Sequence, residues 1–245
     1  MTTALNTPAG DKTTAATTAA GATAAGTLSP AATYASGVST RALLGCVALA
    51  FPLWGVVSLA QAATRRPFNI TRHPLSILSN GTLGWIQITN FVLCGVLALI
   101  GSAGLRRALS GAPGGRWVPR LVAGAGAGMI AAGVFRMDPD NGFPAGAPTG
   151  TATTMSWHSA LHMVSGTVSF AAIIAACFVL GRHFGRAGDR ARARVSRIAA
   201  VVFILGDGWA MTGGAWGSLT LAVGALTGML WVSLSAYHLR GRSGG

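Results

Sequence analysis

Residues 68–91 read FNITRHPLSILSNGTLGWIQITNF. The stretch opens on basic and hydrogen-bonding residues around a His-Pro, passes through Ser-Asn-Gly and then turns apolar. Even in its apolar half it keeps Gln87 and Asn90 where a plain membrane anchor carries leucine. It is either the lip of a functional site or simply the way the chain enters a bilayer. The rest of the sequence settles the second half of that alternative.

The chain has 245 residues, 51% hydrophobic and only 9% charged, with a mean hydropathy of +0.54. A soluble domain commonly devotes about a quarter of its residues to Asp, Glu, Lys and Arg. So few charges cannot solvate a globular surface, and most of this surface is expected to face lipid. Residues 1–40 are mostly Thr, Ala, Gly and Ser with nothing large to bury, which predicts a disordered tail. The tail lacks the basic start and prompt apolar core of a cleaved signal peptide.

Beyond it lie six apolar runs, near 42–62, 82–104, 118–135, 157–181, 196–212 and 216–238. A hydrocarbon core about 30 Å thick takes roughly 20 helical residues, and the runs fit that scale. The expectation is an all-α, polytopic membrane protein: one domain over 41–240, a bundle of six transmembrane helices, and a short end at 241–245. Cys46, Cys94 and Cys177 all fall inside apolar runs without metal-ligand spacing, and read as small packing residues. The third run, LVAGAGAGMIAAGVF, places Gly124 and Gly128 in a G-x-x-x-G that permits close helix approach.

The loops set the orientation. Arg106, Arg107, Arg116 and Arg120 lie between runs two and three. GRHFGRAGDRARARVSR, residues 181–197, lies between runs four and five. With Lys12, Arg41, Arg240 and Arg242 they put fourteen basic residues on one side, against Arg65, Arg66, Arg72 and Arg136 on the other. The positive-inside rule makes both termini and the arginine-rich loops cytoplasmic, in the cytoplasmic membrane. The net charge of +13 is then an orientation signal resting on anionic lipid headgroups, not a nucleic-acid patch.

This orientation gathers His73, Asp138, Asp140, His158 and His162 at an extracytoplasmic rim. His158 and His162, four apart, share a helical face, and that spacing can put two imidazoles on one divalent metal such as zinc. His73 would add a third ligand and Asp138 or Asp140 a fourth. The bland alternative is interfacial histidines beside Trp157, an aromatic anchor. DPDNG at 138–142 opens like an EF-hand loop, but its twelfth position is Thr149 where the bidentate Glu belongs, so a Pro- and Gly-shaped turn is expected. Asp207 lies inside the fifth run, where a bare carboxylate is costly; it is either functional or a structural acid between helices. Gln87 and Asn90 fall on one helical stripe and read as interhelical hydrogen-bonding groups.

The strings FNITRHPLSILSNGTLGWIQITNF, GLRRAL, DPDNGFPAGAP and SWHSALH resemble the bacterial and archaeal membrane-protein family catalogued as domain of unknown function 998. The resemblance runs from residue 42 to about 238 and implies a multi-helix membrane protein without an assigned activity. A looser similarity is to the transmembrane hydrolases that include alkaline ceramidases, which hold zinc with three His, an Asp and a Ser. That similarity implies the set His73, His158, His162, Asp138 and Ser76, although those hydrolases have seven spans and carry H-x-x-x-H in the last. The residues thus favour a membrane-embedded hydrolase facing outward, with metal-bound water as nucleophile and Asp138 or Asp140 as base. Two other roles use the same groups: a small proton-coupled transporter relaying through Asp207 and the histidines, and a non-catalytic subunit or sensor.

Overall fold

The structure is a computed structural model and describes residues 38–150 and 154–242. The tail expected over 1–40 therefore lies, up to residue 37, outside the described residues. Six helices carry the fold: α1 Thr40–Thr64, α2 Gly84–Ala108, α3 Trp117–Val134, α4 Trp157–Arg186, α5 Arg190–Met211 and α6 Gly217–Arg242, with a 3-10 turn at Leu75–Ser79. Among the described residues there is no β-strand; Asp140 and Phe143 form an isolated bridge. Five helices are long and apolar enough to cross a membrane. The exception is α5, whose Arg190, Arg192, Arg194, Arg197 and Asp207 leave no long stretch poor in charge.

Helix starts follow side-chain capping. Ser39 accepts a hydrogen bond from the Ala42 N–H (3.1 Å) at α1, and Ser156 one from the Ser159 N–H (3.1 Å) at α4. Asp189 caps α5 through the Arg192 N–H (3.0 Å) and pairs with the Arg192 guanidinium. Gly188, at φ +82°, lets the chain reverse between α4 and α5.

Each helix packs on its chain neighbours and α6 returns to α1, so the six form a ring. Small residues seal its seams, as expected where lipid leaves van der Waals packing to hold helices together. A Cβ on Gly126 of α3 would stand 2.7 Å from the Gly95 carbonyl oxygen of α2, and one on Gly95 would stand 2.6 Å from that of Gly126. Gly101 and Gly104 press α2 onto α1, and Gly206 presses α5 onto the Thr220 carbonyl of α6. The G-x-x-x-G expectation needs correcting in register. Gly128 does meet α4 at Ser165 and Ser169, but Gly124 faces open space, and the α2 contact belongs to Gly126.

Below mid-height α4 also meets α6, with Ile173 against Gly228, and Phe203 and Cys177 are fully buried nearby. At the arginine-rich end Arg107 donates to the Val38 carbonyl (2.7 Å) and His183 Nδ1 to that of Pro113 (2.9 Å). At the other end Asn80 Nδ2 donates to the Met137 carbonyl (3.0 Å), tying the α1–α2 connection to the α3–α4 connection.

Candidate functional site

The arginine-poor rim is built on the stretch that opens at Phe68. Arg65, just past α1, donates to the carbonyls of Leu78 and Asn80 and to Gln61 Oε1 (3.3 Å), and its guanidinium lies 5.2 Å from the centre of the Phe143 ring. The bonding continues into the bundle: Gln61 Nε2 donates to Gln87 Oε1 (2.7 Å), Gln87 Nε2 to Ser58 Oγ (2.9 Å), and Asn90 Nδ2 to the Trp54 carbonyl (3.1 Å). Gln87 and Asn90 thus join α2 to α1.

The residues expected to form one site fall into two groups. His73 is buried, 5.5 Å from the Phe68 ring and 5.7 Å from that of Phe143. Its Nδ1 accepts from the Asn69 N–H (2.9 Å), which makes Nε2 the donor to the Asn141 carbonyl (3.0 Å). Both nitrogens are engaged. Asp138 accepts from the Ser156 hydroxyl (2.6 Å) and the Ser156 N–H (2.8 Å), clasping the start of α4. Asp140 accepts from Asn141 Nδ2 (2.8 Å). His158 is exposed and stacks on Trp157 at 3.5 Å.

Ser76, His162 and Asp207 form the second group: all three line one cavity of about 360 Å³ to which all six helices contribute. Its walls are mostly apolar. His162 is buried, with Nδ1 2.9 Å from the Ala132 carbonyl oxygen and 2.7 Å from that of Phe135. Nδ1 is therefore the protonated nitrogen, and Nε2 keeps its lone pair. Ser76 Oγ donates to Met137 Sδ (2.8 Å), and Asp207 is half-buried. The indole N–H of Trp54, another wall residue, has no partner.

Among the described residues no three His, Cys, Asp or Glu side chains gather around a common point; His73 spends both nitrogens within the rim, and His158 stacks on Trp157. The constellation of three His, an Asp and a Ser is split between rim and cavity.

Two contributors carried no signal as site residues. Arg65 counted only as a charge in the sequence, and Met129, Met137, Met163, Met211 and Met229 drew no reading from it. Five of the seven methionines line this cavity, which suits a wall that adapts to a flexible guest.

The Asp138 clasp has a pH consequence. The Ser156 hydroxyl, then the Ser156 N–H, hold its carboxyl below the usual carboxylate range. A depressed folded value contributes stability above the unfolded value of about 3.9, lost as pH falls through the folded one. Asp138→Asn should reproduce the loss at neutral pH, costing about 1 kcal/mol of local stability and raising thermolysin cleavage of the α3–α4 connection several-fold. Unchanged cleavage would show that the clasp does not hold the segment.

A family model described as "Protein of unknown function (DUF998)" matches residues 48–238. No curated protein and no solved structure matches the chain.

Proposed function

Because the chain belongs to the DUF998 family, whose description assigns no activity, we propose a function from the cavity itself: the protein holds an amphipathic small molecule within the outer half of the cytoplasmic membrane and acts on it, hydrolase-like, through His162 and Asp207. In this reading α5 is a sixth span, both termini are cytoplasmic, and the rim at Arg65 is extracytoplasmic. The arginine asymmetry supports that orientation. The place of α5 in the ring, between two helices apolar enough to span, supports the sixth crossing.

One observation carries the proposal. The cavity is apolar with a few polar groups, and part of its wall is the exposed flank of α4 and α5, with Met163 36% and Met211 63% exposed. A mostly apolar pocket with a few placed polar groups is the usual form of a small-molecule site. An apolar chain suits the methionines, and an acceptor such as an ester carbonyl suits the unpartnered Trp54 N–H. His162, oriented through Nδ1, offers Nε2 as proton acceptor to a water or hydroxyl beside the guest. Asp207 and Ser76 are the other groups able to move or share a proton there. Asp138, Asp140, His73 and His158 take structural roles in the rim.

Gly166 tests the proposal, since it lines the cavity and a side chain there meets open space. Wild type purified from its native membrane should retain a solvent-extractable amphiphile detectable by mass spectrometry. Gly166→Leu should lose it with little change in thermal stability. Equal retention by Gly166→Leu, or none by wild type, would overturn the cavity as a binding site. His162→Asn keeps a donor in the place of Nδ1 and removes Nε2; turnover of the retained molecule should fall about 100-fold or more, the usual worth of a general base. Undiminished turnover would remove His162 from the chemistry, and none in wild type would instead make the protein a binding subunit or sensor.

A further inference from the structure

We infer that the opposite, arginine-rich end carries a second site, one that seats the phosphate of an anionic phospholipid against α6. A groove of about 560 Å³ runs there between α1, α5 and α6, and Arg41, Arg192, Ser235, Tyr237, His238 and Arg240 are among its lining residues.

Three observations converge. Among the described residues four buried side-chain polar atoms lack a hydrogen-bond partner, and three of them belong to this lining: Ser235 Oγ, His238 Nε2 and Arg240 Nε. Buried polar groups are nearly always satisfied, and Ser235 is only 2% exposed. A ligand with several acceptor oxygens would satisfy all three.

The charge is also right for an anion. Among the described residues no carboxylate pairs with Arg41 or Arg240, while Arg192 is paired with Asp189 and still contributes to the wall. Guanidinium groups match phosphate oxygens geometrically.

The third observation selects a lipid over a free ion. On the flank of α6 that leads away from the groove, Leu230, Leu234 and Tyr237 are exposed at 39%, 58% and 63%. They recur every three or four residues, so they form a continuous apolar track on which acyl chains can lie while the headgroup sits among the arginines. Basic pockets between helices at a cytoplasmic boundary hold anionic headgroups in this way. The inference rests on the chain spanning the membrane, but not on the cavity at the other end.

Native mass spectrometry of the full chain in an uncharged detergent tests it. Wild type titrated with phosphatidylglycerol should retain one lipid, in strong preference to phosphatidylcholine. Arg41→Gln with Arg240→Gln should weaken that adduct about thirtyfold, taking roughly 1 kcal/mol per arginine near a lipid surface. Ser235→Ala, a milder change, should weaken it by a smaller factor. Arg182→Gln with Arg186→Gln removes equal charge from the same end outside the groove and should leave the adduct intact. Equal loss in the two arginine pairs, or no preference over phosphatidylcholine, would overturn the site. Displacement of the lipid by inorganic phosphate at matching concentration would overturn its assignment to a lipid. Resistance of the protein to alkaline extraction from membranes reports on spanning separately.

Discussion

Gly126→Ala is expected to cost about 2–3 kcal/mol or more, while Gly124→Ala, two residues away, is expected to be neutral or to stabilise by up to about 1 kcal/mol. The methyl added at 126 would stand 2.7 Å from a backbone oxygen of α2, an atom that cannot rotate away, whereas at 124 nothing lies within 4 Å. Relief requires α2 and α3 to separate, which forfeits dispersion contacts along the whole seam. Because Gly95 meets the carbonyl of Gly126 in the same way, the two sites share one strain. Gly95→Ala combined with Gly126→Ala should therefore cost clearly less than the sum of the singles. Thermal unfolding and the yield of monodisperse protein in detergent check this. A destabilising Gly124→Ala, or strict additivity of the pair, would refute the seam as described.

Arg65→Ala should be the most damaging change at the arginine-poor end, at about 2–3 kcal/mol, and Arg65→Lys should recover little of it. The guanidinium serves two carbonyls of the 3-10 region and the side-chain oxygen of Gln61, and lies over Phe143. An ammonium cannot reach in that many fixed directions. Neighbouring Arg66 is exposed, and Arg66→Ala should sit within about 0.5 kcal/mol of wild type. Loss of Arg65 should also loosen the segment that brings Leu75 and Ser76 to the cavity wall, so retained amphiphile should fall along with stability. Equal effects at 65 and 66 would reduce Arg65 to an orientation charge. Gln87→Leu gives a smaller comparison: it removes one of the partners of Gln61 and of Ser58, and polar bonds between membrane helices average about 0.6 kcal/mol.

The helical fold was legible because lipid imposes a coarse rule: twenty apolar residues, then a break. Helix length was less so. The fifth run was expected from 196, but α5 begins at Arg190, since Asp189 caps it and arginines are good helix residues outside lipid. Hydropathy measures where a helix meets lipid, not where its hydrogen bonds begin. In α3 the four-residue glycine spacing marked a close seam, yet a helix between two neighbours needs to know which side each glycine faces, and one sequence does not say.

The candidate site split for a comparable reason. His158 and His162 do share a helical face, but one turn of rise separates the rim from the interior: the first stacks on Trp157 in the open and the second is buried against carbonyls. Whether His73 is a ligand or a tie depends on Asn69 and Asn141, which no spacing rule connects. Asp207 stood out as an acid inside an apolar run; that it lines a cavity, and that Ser76 shares it, required the fold.

The exposed flank of α4 and α5 along the cavity has a consequence for how any guest arrives. Backbone-to-glycine contacts close the α2–α3 and α5–α6 seams, whereas a Cβ added at Gly166 or Gly208 on these two helices would meet nothing within 4 Å. Under the proposed function a guest would therefore enter sideways through this doorway from the leaflet, where a sparingly water-soluble molecule is already concentrated and oriented. Detergent tails can use the same doorway, so affinities measured in micelles will understate those in a bilayer.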